Sequence, residues 1–469
     1  MNKYNVVIGI EIHLELNTKS KMFSSAPNDF NAPVNENVNL IDIAYPGTMP
    51  TVNKEAVIKA IQLAKVLKME IESHLCFDRK NYYYPDLPKG FQITQQFRPI
   101  GKNGVVQIEQ NNNKKNIEIE RIHIEEDTAK QIHKENLTYL NYNRAGVPLI
   151  EIVTKPVINN ANEAVLYVDQ IIKIAKFLNI SDAKLEEGSL RADINISLNK
   201  PNEVFGTKVE IKNINSLNNI KKAIELEIQE QTKKLDQNLK ITQQTKRFDD
   251  IQQKNIVMRE KTDSVDYRYF PEPNIPIMKL SDNFINSIKV NKMHWEWIEE
   301  YQQLGINNKF IEQLINDIDL LNFFEEINYE DKNKSVKFLF SEIVPLIKNN
   351  GYKNLKIQPK DIVEILNLEK NNSISSKQAK ELVIYKNNEE LNIQELVKKY
   401  KIQQLENIDE ISALIETLIE KNKEMLNDYS TRRERVLKFF LGQIMKETKG
   451  NANPQLANKI LIEKIEKIN

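Results

Sequence analysis

Cysteine is almost absent: the 469-residue sequence holds one, Cys76. A single thiol excludes an intramolecular disulfide and a cysteine cage for zinc. No nucleophile motif surrounds Cys76, so it reads as a small buried apolar residue. Glycine is also scarce, at 12 residues. Neither glycine-rich phosphate loop, GxGxxG or GxxxxGK[ST], occurs. Any nucleotide must therefore be held by a sheet face, a metal ion and cationic side chains. No run of about 18 apolar residues is present, which excludes a membrane-spanning helix. Met1 to Asn5 lead straight into a strand pattern, without the marks of a secretory or transit peptide, and a cytoplasmic location is expected. Net charge is missing too: 66 Lys and Arg balance 66 Asp and Glu. That balance excludes a protein that grips nucleic acid over its whole surface, though it leaves room for a local basic patch.

What is present is an ordinary globular mixture, 40% hydrophobic and 28% charged, long enough for roughly two to four domains. The character of the chain changes near residue 290. Eight of the 12 glycines fall before residue 207, among short alternating segments; helical periodicity takes over afterwards. Residues 6–16 alternate strictly. Val6, Ile8, Ile10, Ile12, Leu14 and Leu16 face one way, and Glu11, His13 and Glu15 the other. Residues 190–198 set Arg191, Asp193 and Asn195 against Leu190, Ala192, Ile194 and Ile196, and residues 207–212 oppose Glu210 and Lys212 to Val209 and Ile211. The alternation in 117–126 slips between Ile119 and Ile122, which predicts a β-bulge. Helices are predicted at 54–68, at 161–178 (a stripe of Val168, Ile171, Ile172, Ala175 and Leu178) and at 216–234. Strands and helices in irregular order indicate an α+β fold. A catalytic domain is expected over 1–292, a helical domain over 293–404 and a helical tail over 405–469.

Chemistry concentrates in three places. Glu11, His13 and Glu15 share a strand face; Glu125, Glu126 and Asp127 form an acidic run; and Glu151 stands inside the apolar Val147-Pro-Leu-Ile-Glu-Ile-Val153. A carboxylate in an apolar strand is costly unless it is paired or binds metal. Carboxylates with an imidazole suit a hard cation that orients phosphates; the alternative is a solvated sheet face. Arg191, Lys212, Arg247, Arg259, Lys261 and Arg268 supply the cations that phosphoryl transfer needs, or else ordinary surface charge. Residues 430–450 hold six Lys/Arg against two Glu, with Val436, Phe439, Phe440 and Ile444 as an apolar stripe. Arg432, Arg433, Arg435 and Lys446 then read as phosphate-backbone contacts or as a solvated helix face.

Several long segments resemble one family. They are Gly9-Ile-Glu-Ile-His13, Lys80-Asn-Tyr-Tyr-Tyr-Pro-Asp-Leu-Pro-Lys-Gly90, His123-Ile-Glu-Glu-Asp127, Asn143-Arg-Ala-Gly-Val-Pro-Leu-Ile-Glu151, Glu187-Gly-Ser-Leu-Arg191, Glu210-Ile-Lys-Asn-Ile-Asn-Ser216 and Asp266-Tyr-Arg-Tyr-Phe-Pro-Glu-Pro273. They look like the signatures, in order, of the B-subunit family of Asp/Glu-tRNA amidotransferases. The segment Phe440-Leu-Gly-Gln-Ile-Met-Lys446 resembles that family's C-terminal domain. The resemblance implies a catalytic cradle related to glutamine synthetase and guanido kinases, a helical domain, and a tail that reads tRNA. It implies a ligase that phosphorylates the side chain of Glu or Asp on a mischarged tRNA with ATP. Ammonia then displaces the phosphate. The sequence has no Gly/Ser-rich amidase stretch, which agrees with ammonia arriving from a separate amidase (the A subunit), with a small third chain (the C subunit) completing a heterotrimer.

By motif position the resemblance implies Glu11, His13, Glu125 and Glu151 as magnesium ligands. Asp193, Arg191 and Lys212 would line the same pocket. From their cationic chemistry, Arg247, Arg259 and Arg268 are expected as further ATP or substrate contacts. Three departures stand out. Met22-Phe-Ser-Ser-Ala-Pro27 and Ala44-Tyr-Pro46 lie where some members carry zinc-binding cysteines, so no zinc is expected. Ala192 stands where cysteine is frequent, and Tyr429-Ser-Thr-Arg-Arg-Glu-Arg435 replaces the usual Gly-Lys pair.

Overall fold

The structure, a computed structural model, describes residues 3–29, 32–111, 113–203, 205–260, 266–402, 408–448 and 452–467; Lys261 lies outside them. The chain forms two compact units, Met1–His294 and Trp295–Asn469.

The first unit is built on nine strands: β1 (Asn5–Glu15), β2 (Glu70–Ile71), β3 (Gly101–Gln110), β4 (Asn113–Glu126), β5 (Pro148–Thr154), β6 (Leu190–Asn199), β7 (Val209–Ile214), β8 (Gln244–Asp249) and β9 (Lys254–Glu260). Their order in the sheet is β9-β8-β7-β6-β1-β5-β4-β3-β2. Only β7 and β8 pair in parallel, and a helix joins them, as a parallel connection demands. That helix is α3 (Leu217–Asp236), capped by Ser216; α1 (Lys54–Val66) and α2 (Ala161–Phe177) are capped by Asn53 and Asn160. Each cap side chain accepts from free N–H groups of the first turn.

The alternation in β1 decides which face is core. Ile8, Ile10, Ile12, Leu14 and Leu16 are at most 2% exposed, on the face against which α1, α2 and α3 pack. The stripe on α2 centres on Ile174, and Ile172 is only half-buried. Because β1 lies mid-sheet, its odd-numbered residues land at the centre of the opposite, polar face. Part of that face is overlaid by a small sheet of Asp78–Asn81, Phe91–Thr94 and Phe270–Pro271. The two sheets touch directly: Thr94 Oγ1 donates to Glu125 at 3.1 Å, and Ile93 N donates to Glu126 at 3.0 Å.

Two bulges shape the sheet. Val153 pairs with Arg121 but Thr154 with Ile119, which leaves Glu120 as the extra residue and accounts for the slip expected in 117–126. Between β6 and β7, Ala192 pairs with Ile214 and Ile194 with Ile211, so Asp193 opposes two residues, Lys212 and Asn213. Asn213 takes the left-handed φ of 59° that this arrangement requires. Cys76 is only half-buried. Its neighbours Leu75 and Phe77 are each 3% exposed, and alternation turns the residue between them outward.

Among the described residues the named elements of the second unit are all helices, as expected for the C-terminal region. Its last three long helices, Ile408–Lys421, Tyr429–Glu447 and Pro454–Glu466, share a core of Ile411, Ile415, Val436, Phe440, Ile444, Leu461 and Ile465, all 0% exposed. Among the described residues no helix is long and apolar enough to cross a membrane.

Candidate active site

Strand register alone assembles the polar row. His13 lies opposite Arg191 on one side and Glu151 on the other, and Glu151 lies opposite His123. One step along, Glu11 faces Asp193. In the other direction Leu149 separates Glu15 from Glu125. Directly opposed residues of antiparallel strands stand about 5 Å apart, so eight polar side chains converge without any loop.

Glu151, 7% exposed, is the hub. Its Oε2 lies 3.3 Å from His13 Nε2 and 3.2 Å from His123 Nε2. His13 Nε2 is also 3.5 Å from Glu11 and 3.8 Å from Glu125, and His123 Nε2 is 3.4 Å from Glu125. Burial favours neutral imidazoles. The hydrogen bond and charge of Glu151, with Glu125 and Glu11, outweigh it and push His13 up to about 9. His123 rises to about 10: burial opposes the charge, and Glu151 and then Glu125 overcome it. Glu151 is held well below the usual carboxylate range, since the two imidazoles more than offset its burial. Burial, then the charge of Glu151, raises Glu11.

Two overlapping triads, Glu11/His13/Glu151 and His123/Glu125/Glu151, bring ligand atoms within 4.8 Å of one another. Mostly oxygen donors with limited imidazole suit a hard divalent cation better than a soft one. Such an ion would displace the imidazole protons that now neutralise the carboxylates.

Two family models match the chain. One, described as the GatB/GatE catalytic domain, matches residues 6–286, and the other, described as the GatB domain, matches residues 322–465. The chain is 53% identical over 466 residues to the B subunit of the aspartyl/glutamyl-tRNA(Asn/Gln) amidotransferase of Mycoplasmopsis agalactiae, covering 99% of this chain and 98% of that one. It is 51% identical over 477 residues to the protein of the same name from Mycoplasma mobile, with 100% of both chains covered. This chain belongs to the amidotransferase B-subunit family.

The cations expected from the sequence fall into separate groups. Lys212 Nζ reaches Asp193 at 2.5 Å and Glu210 at 3.2 Å, aimed there by the β6–β7 bulge. Arg191 Nη2 donates to Asp127 at 2.9 Å, and Arg144 holds the other oxygen at 2.8 Å. Asp127 stays below its usual range because these two guanidinium groups outweigh its burial. Burial, then Asp127, lifts neighbouring Glu15 to about 7. Arg247 pairs with Asp249 at 3.1 Å on β8, three strands from β1, or about 14 Å at normal strand spacing. Arg259 is exposed on β9, one strand further out. Arg268 is exposed at φ 46°, its carbonyl accepting from Asn81 Nδ2 at 2.6 Å.

Three residues of this B-subunit chain escaped sequence reasoning. His123 sits among isoleucines, and only its register with Glu151 reveals it. Arg144 lies in a quoted motif but carries no local sign of contact with Asp127. Lys80 lies on the small covering sheet, near Glu125 and Glu151, whose charges, with Tyr269, hold it above its ordinary value against burial. In the tail, Arg432, Arg433, Arg435 and Lys446 are all exposed on the helix Tyr429–Glu447. The helix breaks at Arg432 (φ −137°, ψ 46°), and Arg433 pairs with Glu466 at 2.9 Å.

Proposed function

We propose that this chain is the B subunit of a heterotrimeric tRNA-dependent amidotransferase. In this reading it converts Glu-tRNA(Gln), Asp-tRNA(Asn) or both to the amidated forms used in translation. One observation carries the reading: in a chain of this family, a buried carboxylate hub, Glu151, joins two imidazoles and two further carboxylates on a partly covered sheet face beside Arg191 and Lys212. The cradle is read as glutamine synthetase-like. Residues 293–404 form the helical domain and 405–469 the tail that binds tRNA through Arg432, Arg433, Arg435 and Lys446.

A carboxylate is a poor electrophile at neutral pH, so the reaction has two steps. A side-chain carboxylate oxygen of the aminoacyl-tRNA attacks the γ-phosphorus of ATP. The bond to the bridging oxygen breaks, and ADP leaves with the electron pair. Ammonia then adds to the carbonyl carbon, the carbon–oxygen bond to phosphate breaks, and the amide nitrogen sheds a proton. Glu11, His13, Glu125 and Glu151 would hold Mg2+, which when bound neutralises phosphate charge. Asp193 fixes Lys212, and Asp127 fixes Arg191. Both cations are thereby oriented before charge develops on the transferring group. Ammonia would come from the amidase A subunit, with the small C subunit completing the complex, in the cytoplasm.

The test is amidation by the purified heterotrimer supplied with mischarged Glu-tRNA, mischarged Asp-tRNA or uncharged tRNA. Gln or Asn should be recovered from tRNA only when ATP and a mischarged tRNA are both present. Turnover of free glutamate without tRNA would replace this reading with a small-molecule amide ligase.

A further inference from the structure

We propose that Lys80 grips the phosphoryl oxygens during transfer from ATP to the side-chain carboxylate; the inference rests on the function proposed above. The strand Asp78–Asn81 lies in the small sheet that covers the polar face. Its Arg79 is held on the far side: Nε donates to Glu272 at 2.6 Å and Nη2 at 3.1 Å, and the guanidinium stacks 4.0 Å from the Phe91 ring. Adjacent strand residues face opposite ways, so Lys80 turns toward the nine-stranded sheet and the Glu125–Glu151 cluster.

There the Lys80 ammonium lies over aromatic rings, 4.9 Å from the centre of Tyr267 and 6.0 Å from that of Tyr82. The rings come from two segments clamped together: Asn81 N donates to the Tyr267 carbonyl at 3.0 Å. Aromatic faces attract a cation but offer no lone pair in the ordinary sense of an acceptor. Among the described residues Lys80 Nζ makes no hydrogen bond and no ion pair. The other lysines around this face differ. Lys212 is spent on Asp193 and Glu210, and Lys89 is held by Glu126 at 2.5 Å. A half-buried ammonium with three unspent donors, fixed by π faces, is built for an acceptor that arrives with a ligand. Beside a candidate divalent site, a compact charge on a flexible stem matches a phosphoryl group with its several anionic oxygens.

The competing role is simple neutralisation of Glu125 and Glu151. The two are separated by comparing Lys80→Met and Lys80→Gln with the unaltered chain in the heterotrimer. The readouts are tRNA-dependent phosphate release from ATP, amidation, and Mn2+ affinity by electron paramagnetic resonance. Phosphoryl contact predicts a kcat lower by on the order of 100-fold, with Mn2+ affinity within about threefold of the original. A kcat within about threefold, or tighter Mn2+ binding with little kinetic change, overturns the assignment. So does loss of assembly or Mn2+ binding in both variants, which would make Lys80 structural. If the unaltered complex fails to amidate mischarged tRNA, the proposed function falls and the inference with it; if it amidates, the variants alone decide the role of Lys80.

Discussion

Glu151 holds its two imidazoles in their charged forms, and they in turn hold it ionised. Removing its charge therefore does more than delete one ligand. In Glu151→Gln the strongest favourable partner of both His13 and His123 is gone, and burial drives each imidazole toward neutrality. We expect Mn2+ affinity to fall by at least about 10- to 100-fold, amidation to be lost, and the melting temperature at neutral pH to fall, since the two imidazoles lose the charge that stabilised their protonated forms. Undiminished amidation would mean that the cluster is structural. At this scale the sequence was partly transparent. Glu151 announced itself as a charge in an apolar strand, and His13 and Glu11 as members of one polar face. His123 did not, since imidazole between isoleucines reads equally well as packing. What exposed it was pairing across β4 and β5, which no local window contains. The same holds for Lys80, whose neighbours in space come from residues 125, 151 and 267.

Elements carried a clearer signal where their period was long. β1, β6 and the three sheet-covering helices follow from alternation or 3.6-residue spacing, and the β4 bulge from a phase slip. The covering sheet did not, because its strands run two to four residues and one partner, Phe270–Pro271, lies far along the chain. Helix α2 also makes a testable contact at its outer side. His294, 4% exposed, meets Gln170 at 2.8 Å and the Phe177 ring at 5.5 Å between centres. Burial, aided by Lys173, lowers this imidazole to about 4 from its ordinary 6.5. The unfolded chain therefore binds the proton first. The contribution of His294 to stability is fully present above pH 6.5 and is lost as pH falls toward 4, by up to about 3 kcal/mol. Urea midpoints at pH 7 and pH 4.5 should separate more for the natural chain than for His294→Gln. Parallel behaviour of the two would remove His294 as a source of acid sensitivity.

At the scale of the molecule, the tail helices pack on a core of their own, and the exposed arginines sit on one of them. Deleting residues 405–469 should weaken tRNA affinity by about 10-fold or more, as loss of a few phosphate contacts would, and leave kcat at saturating tRNA within about threefold. Unchanged tRNA affinity would relieve the tail of that role. The composition change near residue 290 foreshadowed the border between the two units, whereas the nine-strand order was beyond composition, since it depends on pairings between remote segments. That order also sets a timetable for synthesis. β1 leaves the ribosome before both of its partners, and His13 meets Glu151 and Arg191 only after those residues have been translated. At bacterial elongation rates the wait is roughly 7 to 36 s. For that time a nascent strand with one greasy face has no native partner. A chain that places its central strand ahead of both partner strands must therefore hold that strand unpaired, or in transient non-native pairing, until its polar row can close.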